Sequence, residues 1–310
     1  MIELAPDALR GSYPPLVTPF HDGEVDYEVY AQLVEMQVRE GSHGVVVNGT
    51  TGEPTTLTLR ERTRLLAAAV KAAAGRIAVV AATGSQSLAE TLELTEAAEE
   101  AGARAALVVT PYFVKPPPRG LVEYYVEVGR RTRLPILIYH IPGRAAVELK
   151  PETIARIAER LPNLVGLKHA ANDLGFVTAV LQRLGGAFRI FAGLEALSYP
   201  MLAIGASGLM NAVGNIAPRR VADLYRAAAR GDAATARRLH DDLCELNEAV
   251  FFDTNPIPIK YMMKRIGLLP TEEHRLPMMP ATPDLAERLD GVLLRAGLLP
   301  AAAGDRHAIS

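Results

Sequence analysis

Cysteine is nearly absent from this chain. Cys244 is the only one in 310 residues, which excludes an internal disulfide framework and fits a reducing compartment. Neither sign of charge is in excess: 33 basic residues against 35 acidic ones leave a formal net charge of −2. That balance offers nothing to a polyanion, so nucleic acid is not an expected partner. Long apolar runs are missing as well, since none reaches the ~20 residues that cross a bilayer. The opening stretch, MIELAPDALRGSYPP, carries acids and no apolar core, so no signal peptide is expected. These absences point to a cytoplasmic protein without a membrane partner. Lysine is the last scarcity. Only Lys71, Lys115, Lys150, Lys168, Lys260 and Lys264 occur, and the other 27 of the 33 basic residues are arginine.

Short β-type runs alternate with longer helical patterns. Strands are expected at 13–18, 44–48, 77–82, 105–110, 135–139, 163–168, 187–191 and 208–212. Most are continuously apolar, as strands covered on both faces are. Amphipathic segments lie between them, at 27–41, 58–75, 87–102, 119–132, 151–160, 173–184 and 195–205. Thr58 with Glu61 has the form of a capping box, and Gly41, Gly75, Gly102 and Gly205 stand where helices should stop. Repeated βα units predict an α/β fold, a (β/α)8 TIM barrel. An open doubly wound sheet is the alternative, but its GxGxxG fingerprint is missing after the first strand. Helices alone follow at 217–230, 233–252, 256–267 and 283–297. The expected division is a barrel over 1–230, a helical C-terminal domain over 231–298 and a disordered tail over 299–310.

In a TIM barrel, chemistry sits at the C-terminal ends of the strands. Those ends carry Asn48-Gly49-Thr50-Thr51-Gly52-Glu53, then Thr110-Pro111-Tyr112-Phe113, then Tyr139-His140-Ile141-Pro142-Gly143-Arg144. Lys168 ends the sixth strand, Gly193-Leu194-Glu195 follows the seventh, and Asn211 begins the turn after the eighth. A buried amine is costly unless it is paired or reactive, and arginine cannot replace a nucleophilic amine. Keeping a lysine neutral at pH 7 costs roughly 4–5 kcal/mol, which desolvation at a barrel mouth can largely supply. Such an amine forms an imine with a ketone, a tyrosine beside it can shuttle protons, and the Thr50-Thr51-Gly52 turn offers donors to a carboxylate. From the residues alone, a structural Lys168 paired with Glu195 is an equal account. His140 and His169 suggest a metal pair, but side-chain alternation should turn them away from the axis if Tyr139 and Lys168 face it, so no metal is expected.

The same residues carry a family resemblance. The pieces LVTPF (16–20), GTTGE (49–53), VTPYF (109–113), YHIPGR (139–144), GLK (166–168), NPIPIK (255–260) and RLPM (275–278) resemble, in family order, the dihydrodipicolinate synthase / N-acetylneuraminate lyase family of class I aldolases. The resemblance implies a TIM barrel with a helical C-terminal domain, a homotetramer, and a lyase that needs no cofactor because pyruvate forms an imine on the protein. It places the Schiff-base lysine at Lys168, the proton-shuttling tyrosine at Tyr139 and the carboxylate-binding pair at Thr50 and Thr51. Arg144 falls where the synthase branch binds the aldehyde's carboxylate. Pyruvate and aspartate semialdehyde are therefore the expected substrates, with Thr50 also catalytic and Gly52, Tyr112 and Asn211 as further binding candidates.

Two positions depart from the synthase pattern. Phe113 stands where a second tyrosine completes a Thr–Tyr–Tyr proton relay across a subunit interface, and His169 stands where glutamate usually follows the lysine. Arg62 occupies the place of a histidine often used in lysine feedback. Glu90 is kept, but a cation at position 62 repels lysine's ammonium, so weak or absent lysine inhibition is expected. Other readings are an aldolase or dehydratase acting on a 2-keto-3-deoxy sugar acid, a keto-acid binder without turnover, and a metal-dependent aldolase.

Overall fold

The computed structural model describes residues 1–300. Eight parallel strands form one sheet: β1 Gly11–Ser12, β2 Gly44–Val47, β3 Ala78–Ala82, β4 Ala105–Val109, β5 Ile136–His140, β6 Leu164–His169, β7 Arg189–Ala192 and β8 Gly208–Leu209. From β2 onward each strand pairs with the next, and β8 pairs with β1. The ring closes between β1 and β2 at a bridge from Pro15 to Val46. There Val46 N–H donates to Pro14 O at 2.9 Å and Leu16 N–H donates to Val46 O at 3.0 Å. The sequence predicts a first strand over 13–18, but regular pairing stops at Ser12 because Pro14 and Pro15 have no N–H to give a ladder. The result is a nearly closed TIM barrel. An antiparallel hairpin, Phe20–His21 with Glu24–Val25, is an addition that the pattern of longer runs did not reveal. Its signal is the Asp22-Gly23 pair, both residues having positive φ.

Helices fill the connections at Tyr27–Arg39, Leu59–Ala73, Leu88–Glu100, Pro118–Arg130, Pro151–Arg160, Leu174–Leu184, Ser198–Ala203 and Pro218–Ala229. Their ends follow local chemistry. Thr58 and Glu61 make the reciprocal capping box, while Asp26, Ser87 and Asp173 cap other starts through their side chains. Further helices run at Ala233–Asp242, Cys244–Ala249, Ile257–Arg265 and Pro283–Arg295. The helix expected over 233–252 is thus two, broken at Leu243. Leu299 is tied back, its N–H donating to Leu293 O at 3.3 Å. The rest of the expected tail, from residue 301, lies outside the described residues. Among the described residues no helix is long and apolar enough to cross a membrane.

Two apolar layers hold the barrel. Val46, Val80, Leu107, Leu137, Tyr139, Val165, Phe191 and Met210 fill its interior. Val45, Val79, Val108, Ile136, Ile138, Leu164, Leu167 and Ile190 join the layer beneath the helices. Strict alternation would put Lys168 on the same side as Leu164, outside. It does not, because β6 is irregular. Ile136 pairs with Leu164, but the next residue, Leu137, pairs with Gly166, leaving Val165 unopposed. This bulge resets the phase, so Leu167 faces the helices and Lys168 faces the barrel interior beside Tyr139, its partner in register.

Candidate active site

A cavity of about 580 Å³ opens at the C-terminal ends of β2 to β5. Thr50, Glu53, Tyr112, Tyr139 and Arg144 line it, and Asn255, Pro256, Pro277 and Met278 cover it from the C-terminal segment. Lys168 is not part of that lining. It stands against Tyr139, which is, with its Nζ 4.4 Å from the tyrosine ring centroid. Gly193 makes room for the lysine stem, since a Cβ there would lie 2.9 Å from Lys168 Cε.

Two of the six lysines are buried, Lys168 at 4% exposure and Lys260 at 0%. They differ in what they touch. Lys260 Nζ donates to Glu53 Oε1 at 2.8 Å and to Glu273 O at 2.6 Å. Lys168 makes no ion pair and no side-chain hydrogen bond among the described residues. The structural account that pairs it with Glu195 therefore fails. Glu195 instead turns one oxygen to the segment after β8, Oε1 accepting from Ala212 N–H at 2.6 Å. Burial pushes its carboxyl up to about 7, opposed by that hydrogen bond and, more weakly, by the Lys168 charge.

Thr50, Thr51 and Gly52 form a single 3-10 turn directly after β2. Thr50 Oγ1 and the Tyr139 hydroxyl are 2.9 Å apart, either able to donate. Thr51 is buried, and its Oγ1 accepts from Asn255 Nδ2 at 2.9 Å. Gly52 N–H is consumed within the turn by Gly49 O at 2.8 Å, so Gly52 has no amide for a ligand. The Thr50 and Thr51 N–H groups open the turn and, among the described residues, are its unspent donors.

Arg144 sits in a short helix, Pro142–Ala145, exposed and, among the described residues, without an ion pair. Its one side-chain hydrogen bond among the described residues, from Nη2 to Asn255 O, is long at 3.3 Å. Tyr112 is half-buried in the cavity wall. Asn211 does not reach the cavity: it is 1% exposed and gives its amide to Ser198 Oγ at 2.8 Å. Sequence reasoning passed over Asn255, Lys260 and Met278. All lie in the stretches NPIPIK and RLPM, whose resemblance was visible but whose placement over the cavity was not.

His140 and His169 lie on the outer side of the sheet, stacked on Phe176 with ring centroids 4.8 and 4.5 Å away. Their Nδ1 atoms are 3.1 Å apart. Leu149 N–H donates to His140 Nε2, so neutral His140 carries its proton on Nδ1 and gives it to His169. Desolvation brings both imidazoles down to about 4. Among the described residues no three histidine, cysteine or acidic side chains converge as a metal site requires.

Comparison with known proteins agrees with this geometry. The Dihydrodipicolinate synthetase family is matched by residues 8–295. A 4-hydroxy-tetrahydrodipicolinate synthase of Thermus thermophilus is 49% identical over 292 residues, covering 94% of this chain and 97% of that protein. The crystal structure of dihydrodipicolinate synthase from Aquifex aeolicus superposes with a TM-score of 0.91 at 40% identity, covering 93% of this chain and 98% of that one. The enzyme of Cyanidioschyzon merolae, solved with lysine bound, gives 0.91 at 32% identity, with 94% and 99% covered. A family match over nearly the whole chain, with the fold and the strand-end residues in place, means that this chain belongs to the dihydrodipicolinate synthetase family.

Proposed function

We propose that the chain is a 4-hydroxy-tetrahydrodipicolinate synthase, a class I aldolase-type lyase that condenses pyruvate with aspartate semialdehyde. The observation that carries this reading is Lys168, buried against a tyrosine of the cavity wall with no counter-ion in contact among the described residues. Its amine, once it has given up its proton, adds to the pyruvate ketone; the adduct takes up one proton and loses water, leaving an iminium that withdraws electrons from the methyl carbon. Loss of a methyl proton gives an enamine, which attacks the aldehyde carbon and makes the new C–C bond; the aldehyde's amino group then displaces Lys168 from the re-formed iminium carbon, closing the ring and freeing the lysine. Tyr139, hydrogen-bonded to Thr50, is suited to carry the protons these steps release and consume. The Thr50 and Thr51 amides, donors at the opening of their turn, suit the pyruvate carboxylate. Arg144, charged and under-used, suits the carboxylate of the second substrate. No added cofactor is needed, since the iminium is the electron sink.

The assembly belongs to the same proposal. Phe113 is 89% exposed with φ +71°, and Val114 beside it is 55% exposed. A bare phenyl held in a disfavoured backbone conformation at the cavity rim suits a contact with a second copy, as in a homotetramer. We also assign the protein to the cytoplasm. The test is pyruvate with a hydride reductant, read by peptide mass, followed by turnover with a panel of aldehydes. An adduct on Lys168 and a preference for aspartate semialdehyde are expected. No adduct there would end the proposal, and a better neutral hydroxyaldehyde would move it to a sugar-acid aldolase.

A further inference from the structure

The second buried lysine has no part in the chemistry above, yet the most completely buried ion pair described is its own. Lys260 and Glu53 have side-chain exposures of 0% and 1%. The other Glu53 oxygen faces His274 Nδ1 at 3.1 Å, and that imidazole is also 1% exposed. Lys260 Nζ rests 4.3 Å from the Phe20 ring centroid. Taking these charges out of water costs stability that a well-packed apolar pair would not, so the pair's use lies in what it fixes.

What it fixes is the turn before the cavity. Glu53 ends the Thr50–Gly52 turn and has φ +53°, a conformation that a non-glycine residue keeps only when its surroundings hold it. Its N–H donates to Thr50 O at 3.2 Å, so the orientation of the Thr50 and Thr51 amides depends on its backbone. The same C-terminal segment grips this turn once more and also the turn after it, Pro54–Thr56. Asn255 Nδ2 donates to Thr51 Oγ1, and Arg275 Nη1 donates to Thr56 O at 3.1 Å. Asn255 O also receives Arg144. One segment, residues 255–275, thereby holds the turn proposed for pyruvate and touches the arginine proposed for the second substrate.

We propose that Lys260 is a positioning residue: through Glu53 it sets the Thr50–Thr51 amides for the keto-acid carboxylate. The inference rests on the reading of that turn given above. It is tested with Lys260→Met and with the double variant Glu53→Gln/Lys260→Met, which leaves no unpaired charge in the interior and so keeps the test open if the single variant does not fold. In both, the pyruvate KM should rise about tenfold or more while kcat at saturating pyruvate changes little. The Lys168 adduct should still form at high pyruvate. A merely structural role would lower the active fraction, and with it apparent kcat, at unchanged KM. Folded variants with the parent pyruvate KM would overturn the proposal. Failure of the parent chain itself to form the Lys168 adduct would instead strike the underlying reading of the site, so the two failures are told apart.

Discussion

The Thr50 hydroxyl and the Tyr139 hydroxyl lie 2.9 Å apart, across two strands and 89 residues of sequence. Either oxygen can donate, which is the property a reversible proton carrier needs. Tyr139→Phe removes the carrier and leaves the ring packed against Lys168. The turnover rate should fall by about 10²–10⁴, the usual worth of a positioned acid–base group. Thr50→Val should reproduce much of that loss. Adduct formation on Lys168 should survive in both, though more slowly. Near-parent kcat in both variants would remove the pair from the reaction.

Lys168→Ala should abolish turnover and the trapped pyruvate adduct together. Lys168→Arg should do the same, because a guanidinium is not a nucleophile at neutral pH. The opposite control is Lys260→Met, in which Lys168 remains available. An adduct mapped to Lys260 in the parent chain would transfer the chemistry to the wrong lysine for this proposal.

The barrel itself was legible in the sequence because βα alternation is a long-range rhythm that single residues do not disturb. What the rhythm hides is phase. In an all-apolar strand such as Leu164-Val165-Gly166-Leu167, no polar residue marks which face is which. The bulge at Val165 that turns Lys168 inward therefore left no trace in the pattern. The site was half legible for a related reason. Tyr139 and Lys168 lie at the C-terminal ends of barrel strands and Thr50 just beyond one, so strand ends point to them. Asn255, Lys260 and Met278 come from a segment with no strand, and only three-dimensional folding carries it over the cavity. Asn211 misled because it follows a strand, but its amide was already claimed by Ser198.

Arg144→Ala should act on one substrate only. Loss of a charge-assisted hydrogen bond costs roughly 1.5–3 kcal/mol, or about ten- to hundredfold in affinity. The KM for aspartate semialdehyde should rise by that factor, and the pyruvate KM should hardly change. Steady-state kinetics with each substrate varied in turn checks this. Equal rises for both would mean that Arg144 merely anchors its loop through Asn255.

The histidine pair predicts an acid-labile fold. Both imidazoles are held near 4, below the ordinary 6.5, because burial disfavours their charged forms. The unfolded chain therefore binds protons that the folded chain refuses between those values. Stability from the neutral pair is complete above about pH 6.5 and declines as pH falls toward 4. Glu195 pulls the other way in part of this window, since its carboxyl is raised to about 7 and folding favours its protonated form. The test is accordingly a difference. Urea midpoints of the parent and of His140→Phe/His169→Phe, measured from pH 7.5 to 4.5, should diverge with the parent losing more. Parallel curves would refute the assignment.

The last prediction concerns lysine, which the Cyanidioschyzon merolae relative binds. One end of the cavity here carries Arg62 and Glu90. Arg62 Nη1 donates to Glu90 Oε1 at 3.2 Å, and Ser85 Oγ donates to Glu90 Oε2 at 2.8 Å, so both carboxylate oxygens are engaged. The Arg62 side chain is 7% exposed and also donates from Nη2 to Ala82 O at 3.3 Å, which fixes it in place. An incoming ammonium would have to displace or sit beside a permanent cation with little water to screen it. Submillimolar lysine should leave the rate unchanged. Arg62→His removes the permanent charge and frees one Glu90 oxygen, so it should make the enzyme more sensitive to lysine. Inhibition of the parent enzyme at submillimolar lysine, or an Arg62→His variant no more sensitive than the parent, would show that the Arg62–Glu90 pair does not guard this end of the cavity.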